Sequence, residues 1–222
     1  MSLPAHPPTL CRYASLPVLA ALCFAAGLGA SNPIHPDELV RQLEQTLADP
    51  SARKVALRGG AERIAFCAYC HGKDGNSVKP DVPKLAGQNA KYLFNQFERF
   101  ADGRRKHFVM QQLAANLSAQ DRINIAIHYA VQPVRAESVD PVLAANGKVI
   151  YDTLCNVCHG IDGHGNQEFA RLAGQKPDYT SRTLRAFRDE SSKHSDPTML
   201  QVAKTLSDGN IDAISAYVGS MP

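Results

Sequence analysis

Two stretches decide the fold: Cys67-Ala68-Tyr69-Cys70-His71-Gly72 and Cys155-Asn156-Val157-Cys158-His159-Gly160. Each places two thiols three positions apart, with an imidazole directly after the second. Two thiols on one helical turn can add to the two vinyl groups of a single porphyrin. The adjacent His then projects toward the iron as its proximal ligand, which is why Cys-x-x-Cys-His reads as a covalent haem attachment site. At this chain's own composition, about 0.006 accidental matches are expected. Two matches make chance a poor account. Other uses of Cys-x-x-Cys fit less well. A zinc site would have to join pairs separated by roughly 85 residues and a domain boundary. A thioredoxin-like pair needs a βαβ setting that the sequence lacks, and a disulfide across two residues is geometrically awkward.

Working outward, the surroundings of the two motifs repeat as well. The first is followed by Leu85-Ala86-Gly87-Gln88, Tyr92, Phe100, Met110 and Leu117-Ser118. The second is followed by Leu172-Ala173-Gly174-Gln175, Tyr179, Phe187, Met199 and Leu206-Ser207. A unit this long is a duplicated small domain rather than a solenoid repeat. The boundaries read as an extension over 31–57, a first domain over 58–131, a linker over 132–141 and a second domain over 142–222. Hydrophobic residues recur at helical spacing, with Asn89 and Ser118 as N-cap candidates and helices opening near Gly60 and Gly147 before the Cys pairs. No alternating strand pattern appears, so the fold class is all-α. Aromatics make up only 7% of the chain and Trp is absent. Each bundle of short helices therefore has little core of its own, and a buried haem would supply the missing apolar mass.

Met110 and Met199 lie at matched positions, about forty residues after their His and seven before Leu-Ser. A thioether is a soft sixth ligand that favours Fe(II) and shields the iron from oxygen or peroxide. The alternative for either Met is a gap-filler in the core; the matched positions favour ligation. His107 and His194 compete for that role, but at offsets that differ between the copies, so both read as surface or propionate-side residues. His128 and His164 have no repeat partners and read as structural or solvated side chains. Arg104-Arg105-Lys106 reads as a solvated loop, with steering of an acidic partner as the alternative.

The first thirty residues carry one Arg, no acid and an apolar run from Leu16 to Leu28 ending in small residues, the order of a secretory signal peptide. An uncleaved membrane anchor is the rival reading of that run. Cleavage near Ala30 removes Cys11 and Cys23, so the four remaining cysteines are the four of the motifs. The formal charge of +3 falls to +2 without Arg12, too mild a balance for a nucleic-acid partner. The amphipathic stretch Asp37–Ala48 (Leu39, Val40, Leu43, Leu47) reads as an added helix on the first domain, with partner docking as the alternative.

The two Cys-x-x-Cys-His-Gly motifs, the two Leu-Ala-Gly-Gln segments and the Met-x6-Leu-Ser ending of each copy resemble the di-haem cytochrome c4 family over residues 58–220. The resemblance implies tandem class I cytochrome c-like helical domains related by a pseudo-twofold, with two covalently attached haem c groups. It implies covalent attachment at Cys67, Cys70, Cys155 and Cys158, and axial iron ligation by His71 with Met110 and by His159 with Met199. It further implies a periplasmic electron carrier without catalysis of its own, soluble or loosely associated with a membrane. The implied partners are redox proteins, such as a terminal oxidase or a membrane cytochrome complex in a respiratory chain. By the same likeness Pro83 offers His71 a carbonyl; the second copy departs from the pattern with Ala170. The rival functions are an electron-accepting di-haem subunit of a dehydrogenase complex and a di-haem peroxidase, which would need an open iron.

Overall fold

The computed structural model describes residues 35–191 and 196–222; the stretch read as a signal peptide over 1–30 and His194 lie outside them. Among the described residues there are eleven helices and no strand. Helix α1 (Pro36–Ala48) precedes two sets of five, α2 (Pro50–Arg63), α3 (Ala65–His71), α4 (Ala90–Ala101), α5 (Phe108–Ala115) and α6 (Ala119–Ala130), then α7 (Pro141–Leu154), α8 (Asn156–His159), α9 (Pro177–Arg188), α10 (Pro197–Lys204) and α11 (Asp208–Ser220). Equivalent helices pack alike in the two sets. Helix α2 crosses α6, and α7 crosses α11; α4 touches α5 and α6, and α9 touches α10 and α11. One apolar core gathers Phe94, Phe97, Ile123 and Ile127, and a second gathers Tyr151, Ile211, Ile214 and Val218. Helix α1 belongs to the first core through Leu39 and Leu43, so its apolar stripe is covered by its own domain.

The helices before the Cys pairs start earlier than Gly60 and Gly147. Both open on an Asp–Pro step in which the carboxylate of Asp49 or Asp140 caps the first turn and Pro takes the first helical position. The two glycines serve a different purpose, as mid-helix points of close approach. A Cβ at Gly147 would meet the backbone carbonyl of Ala213 on α11, and one at Gly60 would meet that of Asn124 on α6. Ser118 and Ser207 cap α6 and α11, the latter in a reciprocal capping box with Asn210. Asn89 stands at the start of α4 but makes no side-chain cap. Its Nδ2 instead donates to the carbonyls of His164 and Phe169 in the other set of helices, each at 3.1 Å.

That contact belongs to an interface built by the Leu-Ala-Gly-Gln segments. Gln88 reaches the backbone of Arg171, and Gln175 reaches that of Lys84. Lys84 and Arg171 are equivalent, each directly preceding its Leu-Ala-Gly-Gln segment. The contact is therefore reciprocal, as an approximate twofold requires. Val134 sits against both glycines of the segments, Gly87 and Gly174, where a side chain would collide with it. The connecting stretch is strapped to both sides. Asn76 of the first domain bonds Pro133 and Arg135, while the Glu137 amide donates to the Gly219 carbonyl at 2.7 Å. Arg105 also crosses, donating to the Tyr179 hydroxyl at 3.0 Å while its guanidinium lies over the Phe100 ring. It is an interface residue rather than part of a solvated basic loop; Arg104 beside it pairs with Asp102.

Glu137 receives Lys84 and Lys176, one from each domain, and the Lys84 side chain is only 4% exposed. Burial raises the Glu137 carboxyl, but the bonds from Lys84 and Lys176 outweigh this and hold it below its ordinary 4.5. A depressed carboxylate contributes stability that is complete above its unfolded value and lost as pH falls through its folded value. Glu137→Gln is therefore expected to cost about 1.5–3 kcal/mol at pH 7, since the buried Lys84 side chain loses its carboxylate partner and keeps only the Arg135 carbonyl. The variant should also flatten the acid limb of the stability profile, as checked by urea unfolding between pH 3 and 7. Gly147→Ala tests the helix crossing. In a free helix the change would stabilise by about 1 kcal/mol; here overpacking against Ala213 is expected to lower stability by about 1–3 kcal/mol in the same assay.

Candidate haem sites

Each motif is a short helical turn placed by the helix before it. Helix α3 carries Cys67, Cys70 and His71; Cys155 ends α7 and leads into α8 with Cys158 and His159. Both turns stop at the glycine after His, where φ is +82° at Gly72 and +80° at Gly160, a left-handed conformation that favours glycine. The carbonyls of these glycines are held by tyrosines from non-equivalent places. Tyr151 on α7 donates to Gly160 at 2.7 Å, and Tyr129 on α6 reaches Gly72 at 3.4 Å. Because the two tyrosines are not repeat partners, comparing the copies could not expose their shared task.

The histidines are oriented in the same way. His71 Nδ1 lies 2.8 Å from the Pro83 carbonyl, and His159 Nδ1 lies 2.8 Å from that of Ala170. A carbonyl can only accept, so Nδ1 carries the proton and Nε2 is left with its lone pair, the form of imidazole that binds a metal. Burial lowers the affinity of both rings for a second proton, partly opposed by the carbonyl bonds. Both are therefore neutral at pH 7. Replacement of Pro83 by Ala170 in the second copy leaves this bond at the same length.

None of the four motif cysteines is joined to another in a disulfide. Burial pushes the Cys67 thiol up, and that of Cys155 to about 11. Two cysteines unpaired in any disulfide on one turn, followed by an imidazole that is buried in the first copy and half-buried in the second with Nε2 left as acceptor, make the donor set covalent haem requires. The residues fit the group in both copies.

Met110 and Met199 occupy the same helical position, the third residue of α5 and of α10. Both side chains are half-buried, and Met110 packs against the first core. Their amides donate to equivalent capping groups, Met110 to His107 Nδ1 and Met199 to Asp196 Oδ1. His107 is thus a helix cap whose counterpart is Asp196, not His194. His164 lies near Asp162 and the Pro222 carbonyl, and His128 packs edge-on against Tyr129.

The chain is also similar to known proteins along most of its length. The cytochrome c family model matches residues 144–222. A cytochrome c4 of Pseudomonas aeruginosa is 36% identical over 171 residues, covering 72% of this chain and 85% of that protein. A thiosulfate dehydrogenase electron acceptor of Stutzerimonas stutzeri is 31% identical, covering 82% and 91%. The crystal structure of reduced recombinant cytochrome c4 from Pseudomonas stutzeri superposes with a TM-score of 0.69 at 33% identity, covering 74% of this chain and 98% of that one. With a paired-thiol and imidazole turn in each of two like helical domains, and relatives of this similarity along most of its length, the chain belongs to the cytochrome c4 family of di-haem electron carriers.

Proposed function

We propose that this chain shuttles electrons between redox proteins outside the cytoplasm and performs no substrate chemistry of its own. The domains would run over 58–131 and 142–222. Cys67 with Cys70, and Cys155 with Cys158, would hold one haem c each, with His71 and Met110 as axial ligands in the first domain and His159 and Met199 in the second. The observation that carries this reading is the equivalence of the two Met positions, each third in its helix and each behind a capped amide. Haem supplies a one-electron Fe(III)/Fe(II) couple. The protein's share would be to hold the iron through His71 and Met110 in one domain and His159 and Met199 in the other, so that its charge could change without a change of ligand and peroxide would find no open site. A di-haem peroxidase needs a vacancy that two such Met ligands would remove.

Export rests on the apolar segment over 16–28 and on the family's implied setting. Among the described residues no helix is long and apolar enough to cross a membrane. The likeness to a thiosulfate dehydrogenase electron acceptor favours a second reading, in which this chain takes electrons from one dehydrogenase as a bound partner. Co-purification with a larger dehydrogenase, retained at high salt, would support that reading; recovery as a free protein supports the mobile carrier.

The ferric protein is expected to contain two covalent haems per chain and to show the near-red charge-transfer band of Met-bound haem. Met110→Ala and Met199→Ala should each remove about half of that band and lower the potential of one haem only. A full-strength band in either variant would overturn the ligand assignment.

A further inference from the structure

The two glutamines of the interface do more than join the domains. Gln175 Oε1 accepts the Lys84 amide hydrogen at 2.8 Å, and its Nε2 donates to the Lys84 carbonyl at 3.1 Å. The Lys84 amide and the Pro83 carbonyl are two ends of one peptide unit, and that carbonyl is the acceptor for His71 Nδ1. A continuous chain therefore runs from the Gln175 side chain, through the 83–84 peptide, to the His71 ring. The second copy repeats it. Gln88 Oε1 accepts the Arg171 amide hydrogen at 2.7 Å, its Nε2 donates to the Arg171 carbonyl at 2.9 Å, and the 170–171 peptide presents its other end to His159. Both glutamines are buried, at 9% and 6% exposure.

We propose that Gln175 and Gln88 are positioning residues for the haem of the opposite domain, each setting the orientation and basicity of the other domain's proximal His through one shared peptide. Successive hydrogen bonds polarise one another, and do so most in a low-dielectric setting. An acceptor on the Lys84 amide enriches the Pro83 oxygen, which draws the Nδ1 proton of His71 and makes its Nε2 a stronger donor. A stronger donor favours Fe(III) and lowers the potential. The same clamp accounts for the second copy's tolerance of Ala170: Gln88 holds the peptide there whose orientation the Pro83 ring helps to hold in the first copy. This inference rests on the proposed His ligation.

The test is the midpoint potential of each haem, followed through assigned haem methyl resonances during redox titration. Gln175→Met keeps the volume and removes both bonds. It should raise the potential of the His71 haem by a two- to tenfold change in its equilibrium constant, where tenfold is about 59 mV for one electron, and leave the His159 haem in place. Gln88→Met should do the reverse. A shift confined to the haem of the mutated domain, equal shifts in both, or none would overturn the proposal. Should neither variant mature, the native protein still decides it by linkage: reduction should weaken the hydrogen bonds that the Lys84 and Arg171 amides donate to Gln175 and Gln88 and speed amide hydrogen exchange at both, and unchanged rates would overturn the relay. Native protein without His–Met signals would sink the ligand assignment instead, so the two failures are distinguishable.

Discussion

The hydrogen bond from each motif histidine to a loop carbonyl is the constraint on which the remaining structure depends. A ring presented by a four- or seven-residue helix has no lateral support from that helix, and a rotation about its side-chain bonds would swing Nε2 away from any iron. The protein prevents this from three directions. A glycine with positive φ stops the turn, a tyrosine pins the carbonyl of that glycine, and a loop carbonyl holds Nδ1 at 2.8 Å in both copies. The loop is in turn fixed by a glutamine from the opposite domain, so ligand geometry and domain docking are one structural problem rather than two.

Duplication explains why the solution is symmetrical, and drift explains where it is not. Lys84 and Arg171 exchange equivalent contacts with Gln175 and Gln88, yet Lys84 also meets Glu137, whereas Arg171 turns to the Pro222 carbonyl. The tyrosines that hold Gly72 and Gly160 come from α6 and α7, different helices doing the same work. Helix α1 has no counterpart at all. It covers the first core and, through Lys91, which bridges Glu44 and Glu168, ties itself to the domain interface. These differences give the two haem environments distinct surroundings, which is what a carrier needs if its two centres are to differ in potential.

Much of this was legible in the sequence because the signals are local. The thiol and imidazole spacing, the Ser118 cap and the amphipathic stripe of α1 each declare themselves within a few residues, and the repeat reinforces the first two by recurring. What could not be read depends on residues far apart in the chain. Leu-Ala-Gly-Gln marks the family, but the partners of Gln88 and Gln175 lie 83 and 91 positions away, so its role as a clamp needs the fold. Gly60 and Gly147 look like helix starts until α6 and α11 are seen lying against them. Arg105 looks solvated until Tyr179 arrives from the other domain. His107 looks like a surface or propionate-side residue until the matching cap, Asp196, shows that the copies share a capping position there.

The account stands on two irons that each change charge with both axial positions filled. A stoichiometric reductive titration of the native protein, followed by optical and paramagnetic resonance spectra, addresses this most directly. The account predicts uptake of two electrons per chain in one-electron steps, with both haems low-spin from the first equivalent to the last. Uptake of a single electron, or the appearance of a high-spin iron at any stage, would contradict it.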